Sequence, residues 1–147
     1  MPAPPILTNM QALIIFASGT GTNANAIIEY FKKNGKAKVA LIVSSSAGAG
    51  VLDIARRQEI PFLILNRQTL NETLLIEQLR DYAPSLIVLA GFLWMIPEAM
   101  IKAFPSRIVN IHPALLPGYG GRGMYGHHVH NAVIAAKEKE SGITIHY

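Results

Sequence analysis

The side chains best suited to chemistry in this sequence are an asparagine and a histidine near the end of an apolar stretch. Asn110 and His112 lie two positions apart, so in an extended strand both point to one face. Pro113 disfavours the helical conformation at His112. An amide and an imidazole can both hydrogen-bond the oxygen of a tetrahedral intermediate, and the imidazole can also move a proton. The pair predicts acyl transfer, with Asn110 and His112 as catalytic residues.

A structural role is the alternative for the same pair. An unpaired buried amide costs about 1–3 kcal/mol, so an asparagine in an apolar strand requires a polar partner. Asn110 finds one if it caps the following loop, and His112 is then a hydrogen-bonded histidine of the core. Chemistry alone leaves both interpretations open.

A second candidate site is the glycine-rich segment at residues 18–23, between a predicted strand and a predicted helix. Glycine permits close approach of the backbone, and the free amides at a helix start bind anions. The segment lacks the third glycine of a dinucleotide fingerprint and the Lys-Ser/Thr pair of a P-loop. It therefore predicts a site for one phosphomonoester, with a tight turn that binds nothing as the alternative. The predicted substrate-binding residues are Gly19, Thr20, Gly21, Thr22 and Asn23.

The composition predicts one globular domain over residues 1–147. Hydrophobic residues make up 50% of the chain and charged residues 15%, which is enough apolar material for one sizeable core. The chain has no cysteine, which excludes a disulfide framework, a thiolate zinc site and a cysteine nucleophile. A cysteine-free chain also fits the cytoplasm, where we expect the protein.

Charge and hydropathy patterns bear on the partners. The net charge is +4, but no aromatic residues alternate with the dispersed basic ones, so no nucleic acid is expected. No apolar run approaches the roughly 20 residues that a membrane-spanning helix requires. The residues before the first apolar run lack the basic segment with which an export signal begins. His127, His128 and His130 cluster without a nearby carboxylate or cysteine, so no metal is expected. Small molecules are the expected partners of a monomer or homodimer.

The hydrophobic periodicity predicts the elements that position these residues. Apolar runs alternate with segments of helical spacing, a pattern typical of βα units with a buried parallel sheet. Strands are predicted near residues 13–17, 39–43, 62–65, 86–90, 107–111 and 143–147. The predicted fold is α/β, a Rossmann-like and mostly parallel sheet with helices on both faces. Because the chain ends inside the last predicted strand, we expect this fold to lack its C-terminal part.

Helix starts are predicted from capping and first-turn residues. The first helix is predicted to begin at Asn23, and Asn71, Pro97 and residues 48–50 mark later starts. Apolar residues recur at helical intervals between residues 70 and 82, which predicts one side that faces the sheet. That side is predicted to carry Leu74, Leu75, Leu79 and Tyr82.

Several motifs in order along the chain resemble the phosphoribosylglycinamide formyltransferase family of folate-dependent enzymes. They are Ala17-Ser-Gly-Thr-Gly-Thr-Asn23, Leu89-Ala-Gly-Phe92, Asn110-Ile-His-Pro-Ala-Leu-Leu-Pro117, Tyr119 with Gly121, and Ser141-Gly-Ile-Thr-Ile-His146. Together they span most of the chain, and their combination is more specific than any one of them.

The resemblance implies transfer of a formyl group from 10-formyltetrahydrofolate to the amine of phosphoribosylglycinamide in purine synthesis, without a metal or a covalent enzyme intermediate. It implies that Asn110 and His112 are the catalytic pair, that residues 19–23 hold the phosphate and that Pro113 lines the amine substrate. His127 or His146 is expected to border the pocket. The resemblance also implies a cis bond between Leu116 and Pro117, and an apolar wall for the pterin of the folate formed by Phe92, Leu93, Trp94, Met95, Ile96, Ile101 and Ile108.

The chain departs from the family pattern in two respects. Trp94 stands where an arginine is common in the family, a change that backbone contacts to the pterin would survive. The family's catalytic aspartate lies on the loop just after the strand that ends here at Tyr147, and that carboxylate would orient His112 and favour its charged form. We therefore expect the 147 residues alone to have severely reduced activity or none.

Other functions compete with this one. The first alternative is a relative that also uses formylfolate, either a hydrolase of 10-formyltetrahydrofolate or a formyltransferase that acts on methionyl-tRNA or a nucleotide sugar. The hydrolases usually carry an additional amino-terminal domain, whereas the first strand here begins almost at once. The second alternative is a noncatalytic, Rossmann-type phosphate-binding module, which would be indifferent to the loss of the Asn110 side chain.

Overall fold

Strands and helices alternate along residues 10–147, the part of the chain that the computed structural model describes. The strands are β1 (Gln11–Phe16), β2 (Ala37–Ser44), β3 (Phe62–Ile64), β4 (Pro84–Leu89), β5 (Ile108–His112) and β6 (Thr144–His146). The helices are α1 (Thr22–Asn34), α2 (Gly50–Arg57), α3 (Thr73–Asp81), α4 (Glu98–Ala103) and α5 (His127–Ala135), with a 3-10 turn at Thr69–Asn71.

The six strands form one sheet in the order β3-β2-β1-β4-β5-β6. The first five strands run parallel, and β6 runs antiparallel to β5. The last four residues of β1 and of β2 are all buried, because central strands covered on both faces need apolar side chains on both. The carboxyl ends of the parallel strands meet at one edge, which is where open α/β sheets bind ligands.

Helices cover both faces of this sheet. On one face, α1 and α2 contribute Ile28 and Leu52 to a buried cluster with alternate residues of the central strands. On the other face, Leu79 of α3 and Met100 of α4 belong to a second buried cluster. Full burial of one such side chain stabilises the fold by about 1.5–3 kcal/mol. The α/β class predicted from the sequence is therefore confirmed.

All six predicted strands are present, and the differences lie at helix ends and on one helix face. The first helix begins one residue before Asn23. Asn71 ends the 3-10 turn instead of starting a helix, and α3 begins at Thr73. The prediction that Leu74 faces the sheet is wrong, because its side chain is 56% exposed. Leu75 and Leu79, one helical turn apart, define the buried side, and Leu74 lies about 100° around the helix from Leu75.

The start of α1 packs directly against α2 at a glycine. Gly21 has a φ of +83°, a left-handed conformation that costs residues with a Cβ roughly 1–2 kcal/mol. A Cβ at this position would lie 2.8 Å from the Cα of Val51 and 2.8 Å from the Cδ1 of Ile54. The contact with Val51 involves backbone, which cannot rotate away. Gly21 is therefore required both for the turn and for the approach of the two helices.

We predict that Gly21→Ala lowers the free energy of unfolding by at least about 2 kcal/mol, since it combines left-handed strain with overpacking against α2. Urea unfolding measures this change. Gly35→Ala is the matched control, because Gly35 also has a positive φ, +67°, but nothing within 4 Å of its Cβ position. An equal loss in the two variants would contradict the packing argument.

Candidate active site

Asn110 and His112 point to the same face of β5. Val109 and Ile111 pack against the cluster beneath α1 and α2, whereas Ile108 packs against the cluster beneath α3 and α4. Because side chains alternate along a strand, Asn110 and His112 share the face of Ile108. The sequence prediction that both side chains lie together at the carboxyl edge agrees with this geometry.

The amide of Asn110 is held by a histidine of the neighbouring strand. Asn110 pairs with His146 of β6 across the sheet, and Asn110 Nδ2 lies 3.1 Å from His146 Nε2. Since Nδ2 is a donor, His146 Nε2 accepts, and the proton of this ring is on Nδ1. That nitrogen in turn donates to the carbonyl oxygen of Tyr147 at 3.0 Å. The two bonds fix the tautomer of His146 and the rotation of the Asn110 amide.

His112 is held by a loop carbonyl. Its side chain is 9% exposed, and its Nε2 donates to the backbone oxygen of Tyr119 at 2.8 Å. A carbonyl oxygen only accepts hydrogen bonds, so the proton of the neutral ring is on Nε2 and the lone pair is on Nδ1. Nδ1 makes no hydrogen bond to another residue in 10–147, and no fully buried side-chain nitrogen or oxygen of these residues lacks a partner. Nδ1 therefore reaches the surface of the part of the chain that the structure describes.

Thr144 of β6 fixes the loop that follows β5. Its hydroxyl donates to the carbonyl oxygen of Ala114 at 2.7 Å and accepts from the backbone N–H of Leu116 at 3.0 Å. The bond between Leu116 and Pro117 is cis, as the family resemblance implied. Pro113 is half-buried at the start of this loop. The loop thus leaves β5 along a defined path beside the two candidate catalytic residues.

The glycine-rich turn presents the free end of α1. Gly21 is the N-cap residue, and no side chain caps this helix. The first amides of α1, at Thr22, Asn23 and Ala24, have no acceptor within residues 10–147. Thr20 and Thr22 are exposed, with their hydroxyl oxygens 3.1 Å apart. Free amides beside hydroxyl groups at a helix N-terminus suit a phosphate.

Neighbouring elements hold this turn in place. The N–H of Ser18 donates to the carbonyl oxygen of Gly91 after β4 at 3.2 Å, and the Ser18 and Ser45 hydroxyl oxygens are 2.6 Å apart. The N–H of Val51, at the start of α2, donates to the carbonyl oxygen of Gly19 at 3.1 Å. The turn is therefore tied to three different parts of the fold.

The turn and the candidate catalytic pair lie at the same edge of the sheet. Phe16, the last residue of β1, pairs with Leu89, and Leu89 pairs with Asn110. The turn leaves from the end of β1, and β4 separates β1 from β5, so the two strands are about 10 Å apart. One small substrate can reach both.

The residues predicted to receive a pterin fall into two groups. Trp94, Ile96 and Ile108 are half-buried and pack on the same cluster as Phe92, which itself is 8% exposed and contacts Phe16 edge to face. Phe92 thus supports the wall from inside the core. The exposed members are Leu93, Met95 and Ile101. This wall lies on the face of the sheet that carries Asn110 and His112.

A cation beside this wall escaped the sequence analysis. The guanidinium of Arg67 lies 4.7 Å from the centre of the Trp94 ring, within the range of a cation–π interaction. Trp94 also contacts Phe92 edge to face. Arg67 and Trp94 are 27 positions apart in loops after β3 and β4, so no local pattern signals the contact.

Cavity volume does not mark the candidate site. A cavity of about 590 Å³ lies at the opposite, amino edge of the sheet, lined by residues such as Phe31, Lys38 and Ile60. Its lining includes polar residues such as Lys32 and Gln58, which hydrogen-bond each other, but none of the candidate catalytic or phosphate-binding residues. The hydrogen-bonded side chains at the ends of β1 and β5 therefore identify the site better than the size of a cavity does.

That the protein binds no metal and has no membrane-spanning segment remains a prediction. His127, His128 and His130 lie exposed in α5, as expected for a helix that opens after Gly126. Within residues 10–147, no group of three or more histidine, aspartate or glutamate side chains is placed to hold a metal ion. In the same residues, every helix is too short or too polar to span a bilayer.

Comparison with known proteins agrees with the sequence motifs. A family model described as formyl transferase matches residues 11–147. The chloroplastic phosphoribosylglycinamide formyltransferase of Arabidopsis thaliana is 39% identical over 144 residues, covering 93% of this chain and 49% of that protein. The phosphoribosylglycinamide formyltransferase of Bacillus subtilis (strain 168) is 35% identical, covering 94% of this chain and 71% of that protein. This chain thus spans about half the length of the plant relative.

Solved structures give the same result. The crystal structure of phosphoribosylglycinamide formyltransferase from Bacillus halodurans has a TM-score of 0.80 at 36% identity, covering 93% of this chain and 71% of that chain. Glycinamide ribonucleotide transformylase 1 from Symbiobacterium toebii has a TM-score of 0.82 at 30% identity, covering 94% of this chain and 66% of that chain. These findings confirm the resemblance, and the chain belongs to the formyl transferase family, among the phosphoribosylglycinamide formyltransferases.

Proposed function

We propose that the protein transfers the formyl group of 10-formyltetrahydrofolate to the amine of phosphoribosylglycinamide, a step of purine synthesis. The observation that carries this proposal is the position of Asn110 and His112 on one face of β5, level with the end of β1 that leads into the glycine-rich turn. The names of the matched relatives favour this activity over a formylfolate hydrolase, another formyltransferase or a noncatalytic phosphate-binding module.

Asn110 is suited to stabilise the intermediate of this reaction. The amine nitrogen attacks the formyl carbon, and the resulting tetrahedral intermediate carries negative charge on its oxygen. One N–H of Asn110 Nδ2 is taken by His146, and the second N–H donates to this oxygen. Because His146 already fixes the amide rotation, little reorganisation accompanies the reaction, which is the condition under which such donors are most effective.

His112 is suited to move the proton that the transfer requires. The attacking amine loses a proton, and nitrogen 10 of the folate gains one as its bond to the formyl carbon breaks. In its neutral form, the ring of His112 has a lone pair on Nδ1, because its Nε2 donates to the backbone oxygen of Tyr119. His112 therefore accepts the proton from the amine and returns it to the leaving nitrogen, as a general base and then a general acid.

The glycine-rich turn is suited to bind the phosphate of the acceptor substrate. The free amides at the start of α1 and the exposed hydroxyl groups of Thr20 and Thr22 supply donors. Gly19 lies exposed in this turn, with no atom within 4 Å of its Cβ position. The phosphate binds here while the amine reaches β5, where Pro113 borders it.

The apolar wall after β4 is suited to the pterin of 10-formyltetrahydrofolate. Trp94 and Ile96 are half-buried, and Leu93 and Met95 beside them are exposed. A ring with donors and acceptors along its edge requires an apolar surface together with polar groups, which the backbone of this segment would supply. Arg67, stacked on Trp94, brings a positive charge to the end of the wall, which suits the carboxylate of a folate glutamate.

The catalytic roles predict the effect of removing either side chain. In the full-length protein, Asn110→Ala or His112→Ala is expected to lower kcat by at least about 100-fold, because each removes a group that acts in the transition state. Steady-state formyl transfer measures this, and circular dichroism checks the fold. Asn34→Ala, at the far end of α1, is the control and should match the wild type. Unchanged turnover in both site variants would leave the phosphate-binding module as the better proposal.

The phosphate site predicts a change in KM without loss of stability. Gly19→Ala adds a methyl group where the phosphate would approach the backbone, but meets nothing in the free protein. We expect KM for phosphoribosylglycinamide to rise at least about 10-fold, equivalent to about 1.4 kcal/mol of binding, while unfolding stability stays within about 0.5 kcal/mol. The same substrate without its phosphate should not distinguish the two proteins. An unchanged KM would place the phosphate elsewhere.

A further inference from the structure

The segment at residues 45–51, which leads from β2 into α2, lies against the glycine-rich turn. At its start, the N–H of Ser45 donates to the hydroxyl oxygen of Ser18 at 3.2 Å, and the two hydroxyl oxygens are 2.6 Å apart. One step earlier, the N–H of Ala17 donates to the carbonyl oxygen of Val43. The Ser18 side chain thus continues the pairing of β1 with β2 into the turn.

Further along, the same segment contacts the turn through its backbone. The N–H of Val51 donates to the carbonyl oxygen of Gly19 at 3.1 Å. Gly50 is the first residue of α2 and lies against Thr20. A Cβ at position 50 would be 3.1 Å from the Thr20 carbonyl oxygen and 3.2 Å from its Cα, and neither backbone atom can rotate away. A side chain at position 50 would therefore shift Thr20 or α2 by a few tenths of an ångström.

The segment is itself held in place at both ends. At the end of β2, the hydroxyl of the fully buried Ser44 donates to the carbonyl oxygen of Ser46 at 3.1 Å and accepts from the N–H of Ser46 at 3.2 Å. At the other end, Val51 and Leu52 of α2 are buried in the core. The segment therefore supports the turn and does not simply move with it.

Small shifts of the turn matter because backbone amides are the donors of the proposed phosphate site. An N–H···O hydrogen bond has a useful range of only about 2.7–3.2 Å between nitrogen and oxygen. Thr20 lies two residues before Thr22, whose N–H has no acceptor within residues 10–147, and the hydroxyl oxygens of the two threonines are 3.1 Å apart. A displacement of Thr20 by a few tenths of an ångström is thus comparable with that whole range.

We propose that Ser45 and Gly50 are positioning residues, which hold the backbone of residues 18–20 in the conformation that lets the start of α1 bind a phosphate. The proposal rests on the proposed function, which assigns the phosphate of the acceptor substrate to this turn. The Ser45 hydroxyl is engaged by Ser18 and Gly50 has no side chain, so both residues act through the turn. They set the affinity for the phosphate and leave the chemistry at β5 unchanged.

Two identical substitutions in the segment test the role of Gly50 in the full-length protein. Gly50→Ala crowds the Thr20 backbone, whereas Gly48→Ala meets only the Ser46 hydroxyl oxygen, at 4.0 Å. We expect KM for phosphoribosylglycinamide to rise about 5-fold or more in Gly50→Ala with kcat changed less than about 2-fold, because only binding is weakened. Gly48→Ala should match the wild type. Alanine is a better helix former than glycine, so the urea midpoint of Gly50→Ala should not fall.

The hydroxyl pair is tested in the same assay. Ser18→Ala removes both bonds to Ser45, whereas Ser45→Ala removes only the bond between the two hydroxyl groups. KM should therefore rise more in Ser18→Ala, and the double variant should match Ser18→Ala, because both changes break one interaction. Ser45→Thr keeps a hydroxyl and should restore KM to within about 2-fold of the wild type. Ser85→Ala, an exposed serine near the amino end of β4, is the control.

Binding of inorganic phosphate gives a readout that needs no turnover. In the full-length, 15N-labelled protein, phosphate added at constant ionic strength should shift the amide resonances of Thr22 and Asn23. The Kd from these shifts should rise about 5-fold or more in Gly50→Ala and measurably in Ser18→Ala, and should stay unchanged in Gly48→Ala. A change that only loosened the fold would instead lower the urea midpoint and the kcat.

The outcomes separate the positioning role from the proposed function. Equal phosphate affinity in the wild type, Gly50→Ala and Ser18→Ala would overturn the positioning role, and so would equal effects of Gly50→Ala and Gly48→Ala. If Gly50→Ala did not fold, Ser18→Ala would decide alone. No phosphate-induced shift at Thr22 and Asn23 in the wild type would overturn the phosphate site and the positioning role together. Phosphate binding with the expected differences but without formyl transfer would overturn the proposed reaction alone.

Discussion

Backbone pairing between β5 and β6 is the constraint on which the candidate site depends. Its register places His146 opposite Asn110 and Thr144 opposite His112, so four polar side chains share one face at the carboxyl edge of the sheet. A slip by one residue would turn Thr144 and His146 to the other face. Asn110 would lose its partner, and the loop after β5 would lose both bonds from the Thr144 hydroxyl. The parallel part of the sheet thus carries the candidate catalytic residues, and the antiparallel edge strand β6 holds them and the following loop in position.

The site is held by bonds that link elements distant in sequence. His112 bonds a loop carbonyl, Asn110 bonds β6, and the glycine-rich turn bonds both the segment after β4 and α2. Side chains fixed by such partners are already oriented before a ligand arrives, which reduces the entropy that binding must overcome. The contact of α1 with α2 at Gly21 has the same effect, because it holds the free amides of α1 at the edge of the sheet.

Periodicity in the sequence was sufficient for the sheet and for the pair on β5. Apolar runs marked the six strands, although β3 and β6 contain no buried residue. A repeat of two places Asn110 and His112 together without further information. The partners of these residues were not predictable in the same way. Tyr119 binds His112 through its backbone, which no side-chain pattern encodes, and Arg67 meets Trp94 only because two distant loops converge. Leu74 shows that an apolar residue in a helix can lie outside the buried side.

The placement of β4 between β1 and β5 has a consequence for selectivity. Hydrogen bonding within a sheet fixes the spacing of its strands. The distance between the phosphate turn and the catalytic pair is therefore also fixed, and it selects substrates by their length. Under the proposed function, a phosphorylated amine of the wrong length would dock at the turn and still hold its nitrogen short of, or beyond, the formyl carbon. Such a molecule would compete with the substrate for binding but would not be formylated. The protein would thus select its substrate by the distance between phosphate and amine, without recognising each chemical group.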